Sequence, residues 1–211
     1  MTDKLFEKNQ ITNQYRNLVD HCLNEHFKLA SQLLNDTHCT NAIAEISAMM
    51  IQSYLNGRKL LLCGNGGSAA DAQHLAAELV SRFYIERKAL AAEALTVNTS
   101  IITAIANDYS YRRIFARQVE AKGENGDILI GLSTSGKSEN IFEAFQMAKE
   151  MGITTILFTG TIDENEKILQ YTDCLLNIPS KNTPRIQEMH ILAGHIICEI
   201  VEKELSQDQT K

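Results

Sequence analysis

The sequence predicts an α/β fold: one domain with a central parallel sheet flanked by helices on both faces, a helical arm before it and a long C-terminal helix after it. Three observations predict this. Short apolar runs alternate with helix-like segments through the middle of the chain, the order that yields parallel strands joined by crossover helices. One apolar run, Leu60-Leu61-Leu62-Cys63, passes through the glycine turn Gly64-Asn65-Gly66-Gly67 into a helical segment. Both ends of the chain carry apolar residues at helical spacing.

Taken in order, the segment 1–57 reads as a helical arm made of two helices. Leu23, Phe27, Ala30 and Leu34 share one helical face, and Ile43, Ile46, Met50 and Tyr54 share another. Asn35-Asp36-Thr37 breaks the two helices, and Asn56-Gly57 closes the second. The core is expected over 58–206. Its strands are expected at Leu60–Cys63, Leu95–Val97, Ile128–Leu132, Ile153–Phe158 and Leu175–Ile178. Helices are expected near Ser68–Phe83, Ser100–Ala106, Arg112–Ala121, Ser138–Glu150 and Glu164–Leu169.

The last helix is expected to start with Thr183 as N-cap and Pro184 as first helical residue, where a missing N–H costs little. It should run to about Leu205. Ile186, Met189, Leu192, Ala193, Ile196, Ile197, Ile200 and Val201 nearly encircle it, so it needs cover on more than one side. Together with the amphipathic arm, that points to packing between subunits. A polar tail, 207–211, is expected to fray.

Composition narrows the function classes. A chain of 211 residues that is 44% hydrophobic, with only two prolines, is long enough for one substantial core and has no linker composition. A net charge of −6 offers no basic field for nucleic acid, so an anionic ligand would need local donors. Five cysteines without a CxxC pair are the pattern of reduced, buried thiols. No stretch reaches the length of a membrane span and Met1-Thr2-Asp3-Lys4 lacks an apolar signal core, so a cytoplasmic location is expected.

The chemistry gathers in two turns and two helices. A glycine turn between strand and helix lets backbone N–H groups approach an anion at the positive helix end. Ser68 with Asp71 fits a capping box opening that helix. The spacing of Gly64, Gly66 and Gly67, followed by Ala69 and Ala70, fails the dinucleotide pattern, and the Walker lysine is absent. His74 and Glu78 lie one turn apart on one face, a potential metal or acid–base pair. A second turn, Ser133-Thr134-Ser135-Gly136-Lys137-Ser138, gathers hydroxyls and N–H groups suited to phosphate oxygens.

The last helix offers Arg185, Gln187, Glu188, His190 and His195. Spacing favours His190 as the companion of Gln187. His195 lies about 80° around the helix from Gln187 and roughly 12 Å along it, so the two meet at one metal only if their side chains lean together.

With these residues assembled, the sequence closely resembles the sugar isomerase (SIS) domain family over nearly its whole length. The resemblance rests on Cys63-Gly64-Asn65-Gly66-Gly67-Ser68, His74-Leu75-Ala76-Ala77-Glu78, Ala106-Asn107-Asp108, Ser133-Thr134-Ser135-Gly136 and Arg185-Ile186-Gln187-Glu188-Met189-His190, in that order. Within the family it is most similar to members that interconvert sedoheptulose 7-phosphate and D-glycero-D-manno-heptose 7-phosphate. Those members begin the supply of nucleotide-activated heptose for lipopolysaccharide or capsule.

The resemblance implies substrate contacts at Asn65, Gly66, Gly67, Glu78, Asn107, Asp108, Ser133, Thr134, Ser135, Ser138 and Gln187. It implies one zinc per subunit held by His74, Glu78, Gln187 and His195, with Glu78 and His195 as the acid–base pair. It thereby selects His195 over His190. It also implies a homotetramer with active sites near subunit interfaces. Two other members of the family set the alternatives: a non-catalytic protein that binds a replication initiator, and an isomerase of another sugar phosphate. The first would not need the His74, Glu78, Gln187 and His195 set. The second usually carries an extra domain. Ala69 and Ala70 depart from relatives with bulkier or polar residues there, which bears on the fit of the substrate.

Overall fold

The computed structural model describes residues 2–207; of the tail expected at 207–211, Gln207 ends the last helix and 208–211 lie outside the described residues. Helices α1 (Thr2–Asn35) and α2 (Thr37–Leu55) form the arm. The core then runs β1 (Leu60–Gly64), α3 (Gly67–Val80), β2 (Ala92–Ala94), α4 (Thr99–Asp108), α5 (Ala116–Lys122), β3 (Ile128–Leu132), α6 (Glu139–Glu150), β4 (Thr154–Thr159), β5 (Cys174–Asn177) and α7 (Thr183–Gln207). All strand pairs are parallel, in the order β2-β1-β3-β4-β5. The chain leaves β1 towards β2 on one side and returns to β3 on the other, so the crevice between the carboxyl ends of β1 and β3 is a topological switch point.

Period-two alternation divides the sheet between two apolar layers. Leu60, Leu62, Ile128, Ile130, Leu132, Ile156 and Phe158 face α2, α3 and α7. Leu61, Cys63, Leu129 and Leu157 face α5 and α6, where Val119, Ile141, Ala144 and Phe145 pack. Both faces of every central strand are therefore dry, which explains why these strands read as continuous apolar runs rather than alternating ones.

Several elements differ from expectation. The second strand is Ala92–Ala94, not Leu95–Val97: Asn98 accepts from the Ile101 N–H at 3.0 Å and caps α4, so the chain has already turned by Val97. The helix expected at Arg112–Ala121 is split into a 3-10 turn, Tyr111–Arg113, and α5. The segment expected as a helix at Glu164–Leu169 is a 3-10 turn at Lys167–Tyr171. Asn182, not Thr183, offers the carbonyl that accepts the first helical bond of α7, from Ile186 at 3.0 Å.

The capping box of Ser68 and Asp71 is absent. Gly66 caps α3 with φ +56° and ψ −120°, a conformation open to glycine, and Ser68 is buried as the second residue of the helix.

The arm also turns out differently. Leu29 and Leu33 pack on the core, whereas Leu23, Phe27 and Leu34 point outward with more than 60% of their surface exposed. On α7, Ile186, Met189, Ala193, Ile197 and Val201 are buried, and Leu192, Ile196 and Ile200 form an outward apolar row.

Candidate active site

The turn after β1 is shaped by what its glycines must accommodate. A Cβ on Gly64 would lie 2.4 Å from the Ser68 carbonyl oxygen, and one on Gly67 would lie 2.5 Å from Gln187 Nε2. Gln187 of α7 thus rests directly on the turn. Asn65 exchanges two carboxamide hydrogen bonds with Asn140, at 2.9 and 2.8 Å, and accepts from the Tyr111 hydroxyl at 3.2 Å. This pair ties the β1 turn to the start of α6, across the switch point.

The β3 turn faces it. Ser133 Oγ lies 3.0 Å from Ser138 Oγ, and Ser135 Oγ accepts from the Lys137 N–H at 3.2 Å. Gly136 holds φ +68°, and its N–H donates to the Ser133 carbonyl. Thr134 accepts from the Gly160 N–H through its carbonyl. Hydroxyls and main-chain N–H groups therefore curl over the positive end of α6, the arrangement that binds an oxyanion. Lys137 forms an ion pair with Glu166 at 2.8 Å. Asn107 and Asp108 are exposed at the end of α4, where Asn107 donates to Asp108 at 2.8 Å.

The His/Glu set comes from two helices. Gly194 lets α7 lie against α3: a Cβ there would come 2.5 Å from Leu75. His195, the next residue, is thereby brought over His74. Their Nε2 atoms are 2.7 Å apart, and Glu78 Oε1 lies 3.4 Å from His74 Nε2. The ligand atoms of His74, Glu78 and His195 all fall within 4.8 Å of one another. Phe83 packs against the His195 ring at 5.6 Å.

Two imidazoles and a carboxylate converging in this way match the donor set of a catalytic zinc site, and a glutamine oxygen is an acceptable hard donor. His74, Glu78 and His195 fit such an ion, and Gln187 lies on the glycine turn against Gly67.

His190 is elsewhere. It is fully buried, edge-on to Phe158 at 5.7 Å, and burial pushes its pKa down to about 4. Arg185 and Glu188 face the arm: Arg185 donates to the Cys22 carbonyl at 2.6 Å, and Glu188 meets His26 at 2.8 Å.

One carboxyl took only a capping role in the sequence reading. Asp71 lies one turn before His74, its Oδ2 is buried without a hydrogen-bond partner, and burial, opposed by His74, raises its pKa to about 6. The signal was in the spacing, since Asp71, His74 and Glu78 follow one helical face at steps of three and four.

Known proteins resemble this chain in sequence and in fold. The sequence model of the SIS domain covers residues 25–160. The phosphoheptose isomerase of Clostridium acetobutylicum is 55% identical over 190 residues, 90% of this chain and 96% of that protein. The solved phosphoheptose isomerase of Neisseria gonorrhoeae superposes with a TM-score of 0.82 at 39% identity, covering 89% of this chain and 98% of the other. That of Francisella tularensis gives 0.83 at 34% identity, covering 89% and 97%. The chain belongs to the SIS domain family and, within it, to the phosphoheptose isomerases.

Proposed function

We propose that this protein is an aldose–ketose isomerase that interconverts sedoheptulose 7-phosphate and D-glycero-D-manno-heptose 7-phosphate. The observation that carries the reading is the convergence of His74, Glu78 and His195 in a fold that also carries a hydroxyl-lined anion turn, in a chain 55% identical to a phosphoheptose isomerase.

The reaction moves one proton between C1 and C2 through an enediol(ate). It needs a base at one carbon, an acid at an oxygen and a stabiliser of developing negative charge. Glu78 and His195 supply the acid–base pair, each already within reach of the other's surroundings. The turn Ser133, Thr134, Ser135 and Ser138 takes the phosphate. Asn65, Gly66, Gly67, Asn107, Asp108 and Gln187 hold the sugar.

His74, Glu78, Gln187 and His195 would hold one zinc per subunit, which when bound polarises the carbonyl and hydroxyl at C1 and C2. The outward apolar rows on α1 and α7 are the surfaces of a homotetramer, with the sites near its interfaces. A cytoplasmic enzyme of this kind makes heptose phosphate for lipopolysaccharide or capsule. Among the described residues, no helix is long and apolar enough to cross a membrane.

The direct test is to incubate the purified protein with sedoheptulose 7-phosphate and follow the aldose by NMR. Conversion is expected, lost on chelation and restored by zinc. No aldose from zinc-replete protein would refute the reading, and equal turnover of a pentose phosphate would favour the isomerase of another sugar.

A further inference from the structure

The two helices that carry the His/Glu set are joined by a buried ionic pair well away from their ends at the glycine turn. Arg87 and Glu202 each have side chains only 1% exposed, and Arg87 Nε lies 3.1 Å from Glu202 Oε1. The pair sits one turn beyond Cys198 on α7 and against the last turn of α3.

Each partner makes several main-chain contacts, although Arg87 Nε completes no hydrogen bond. Arg87 donates through Nη2 to the carbonyl of Glu78 at 3.0 Å, and through Nη1 to Leu79 at 2.8 Å, Lys88 at 3.1 Å and Ser81 at 3.5 Å. These include carbonyls at the C-terminus of α3 that no helical N–H can reach. Glu202 accepts from the N–H groups of Phe83 at 2.7 Å, Tyr84 at 2.5 Å and Ile85 at 2.9 Å.

Burial by itself would raise the Glu202 carboxyl. The three N–H donors and Arg87 outweigh it and hold the group below the ordinary glutamate range, so it is an anion in the fold. Because Arg87 Nη2 bonds the Glu78 carbonyl at 3.0 Å, the pair lies close to Glu78.

We propose that Arg87 and Glu202 are a positioning pair for the His74, Glu78 and His195 site. The inference rests on the proposed metal and acid–base role of that site. Arg87 holds the main chain of Glu78 itself and ends α3. Glu202 fixes α7 to the segment 83–85, whose first residue, Phe83, packs on the His195 ring at 5.6 Å. Glu78 is thus held from α3's own end and His195 from the facing side, through one ion pair.

A buried pair of this kind is a poor device for stability alone, because desolvating both charges offsets most of their attraction. What it supplies is direction: seven named main-chain contacts that an apolar substitute could not reproduce.

The test uses the full-length protein and two conservative variants, Glu202→Gln and Arg87→Lys. Ile46→Val, a truncation in the apolar core on α2, serves as the control for plain loss of stability. For each, zinc affinity is measured by competition with a chelating dye. The site geometry is read from the visible spectrum of the cobalt-substituted protein, and kcat and KM are taken at saturating zinc.

The proposal predicts folded variants whose zinc affinity falls by about 10-fold or more, the range for supports of metal ligands. Their cobalt spectrum should shift, and kcat should drop with little change in KM. Ile46→Val should lower Tm alone. Should Glu202→Gln and Arg87→Lys fail to fold, Phe83→Leu, which leaves the pair intact, must still shift the cobalt spectrum.

Variants that lose Tm but keep the wild-type spectrum, zinc affinity and kcat would overturn the proposal and leave the site standing. So would an unchanged spectrum in Phe83→Leu. A wild-type protein that binds neither metal would overturn the site itself, and the positioning role with it.

Discussion

His190 and His195 stand on the same helix with opposite chemistry. His195 reaches half-exposed into the site, while His190 is sealed beneath Phe158 and neither of its ring nitrogens completes a hydrogen bond. The spacing argument preferred His190 because it counts positions along one helix. What decides is the neighbouring helix: Gly194 lets α3 approach, and only the residue beside it meets His74. Gln187 reaches the turn because Gly67 leaves room for it. Such close approaches between distant parts of the chain have no signature at helical spacing, so spacing alone could not show that His195, rather than His190, lies beside His74.

His190 carries a pH prediction. Burial pushes its pKa from 6.5 down to about 4, so the unfolded chain takes up a proton that the fold refuses. Its contribution to stability is full above about pH 6.5 and is lost as pH falls towards 4, an effect of about 3 kcal/mol. His190→Gln should lower stability at pH 7 yet flatten its dependence on pH across that window, as read by urea unfolding. An unaltered slope between pH 6.5 and 4 would show that His190 is not held neutral in the fold.

At the scale of elements, the strands buried on both faces were legible because Leu60–Cys63 and Ile128–Leu132 are unbroken apolar runs. β2 was not, because Ala92-Glu93-Ala94 is short, lies at the sheet's edge and lacks β-branched residues, while Leu95-Thr96-Val97 has better strand chemistry. The start of α3 was misread for a related reason. Ser68 and Asp71 satisfy a capping pattern, yet the glycine at 66 adopts a conformation that ends the turn two residues earlier.

Capping does govern α2. Asp36 accepts from the N–H groups of His38 at 2.8 Å and Cys39 at 3.4 Å, and the first of these donors is the main reason its carboxyl titrates below the usual range. Asp36→Ala should destabilise the protein by about 1 kcal/mol, the typical worth of an N-cap, with turnover unchanged. A loss of turnover at full folding would mean that the arm does more than pack.

At the scale of the molecule, two apolar rows have no cover among the described residues. Tyr15, Val19, Leu23, Phe27 and Leu34 line α1, and Leu192, Ile196 and Ile200 line α7. The helical period of the arm was plain in the sequence, but period alone does not say which face meets the core: Leu23, Phe27 and Leu34 of the expected stripe point outward and Ala30 packs on the core. In the proposed homotetramer these rows are the surfaces between copies of the chain. Light scattering should report about four chains, and Leu23→Glu with Phe27→Glu should reduce that number. A wild-type monomer with full isomerase activity would contradict both the assembly and the placement of sites near its interfaces.

The central claim is proton transfer by Glu78 and His195. Its most direct test is the turnover of Glu78→Gln and His195→Asn, each measured at saturating zinc by NMR of the heptose phosphates. Glu78→Gln keeps the size and hydrogen bonding of the side chain and removes its basicity, and His195→Asn does the same for the imidazole. Each should reduce kcat by at least about 10²-fold, the lower range for a positioned acid or base, in protein with wild-type circular dichroism and wild-type mass in solution. Turnover undiminished in both variants would contradict the assignment of these two residues as the acid–base pair.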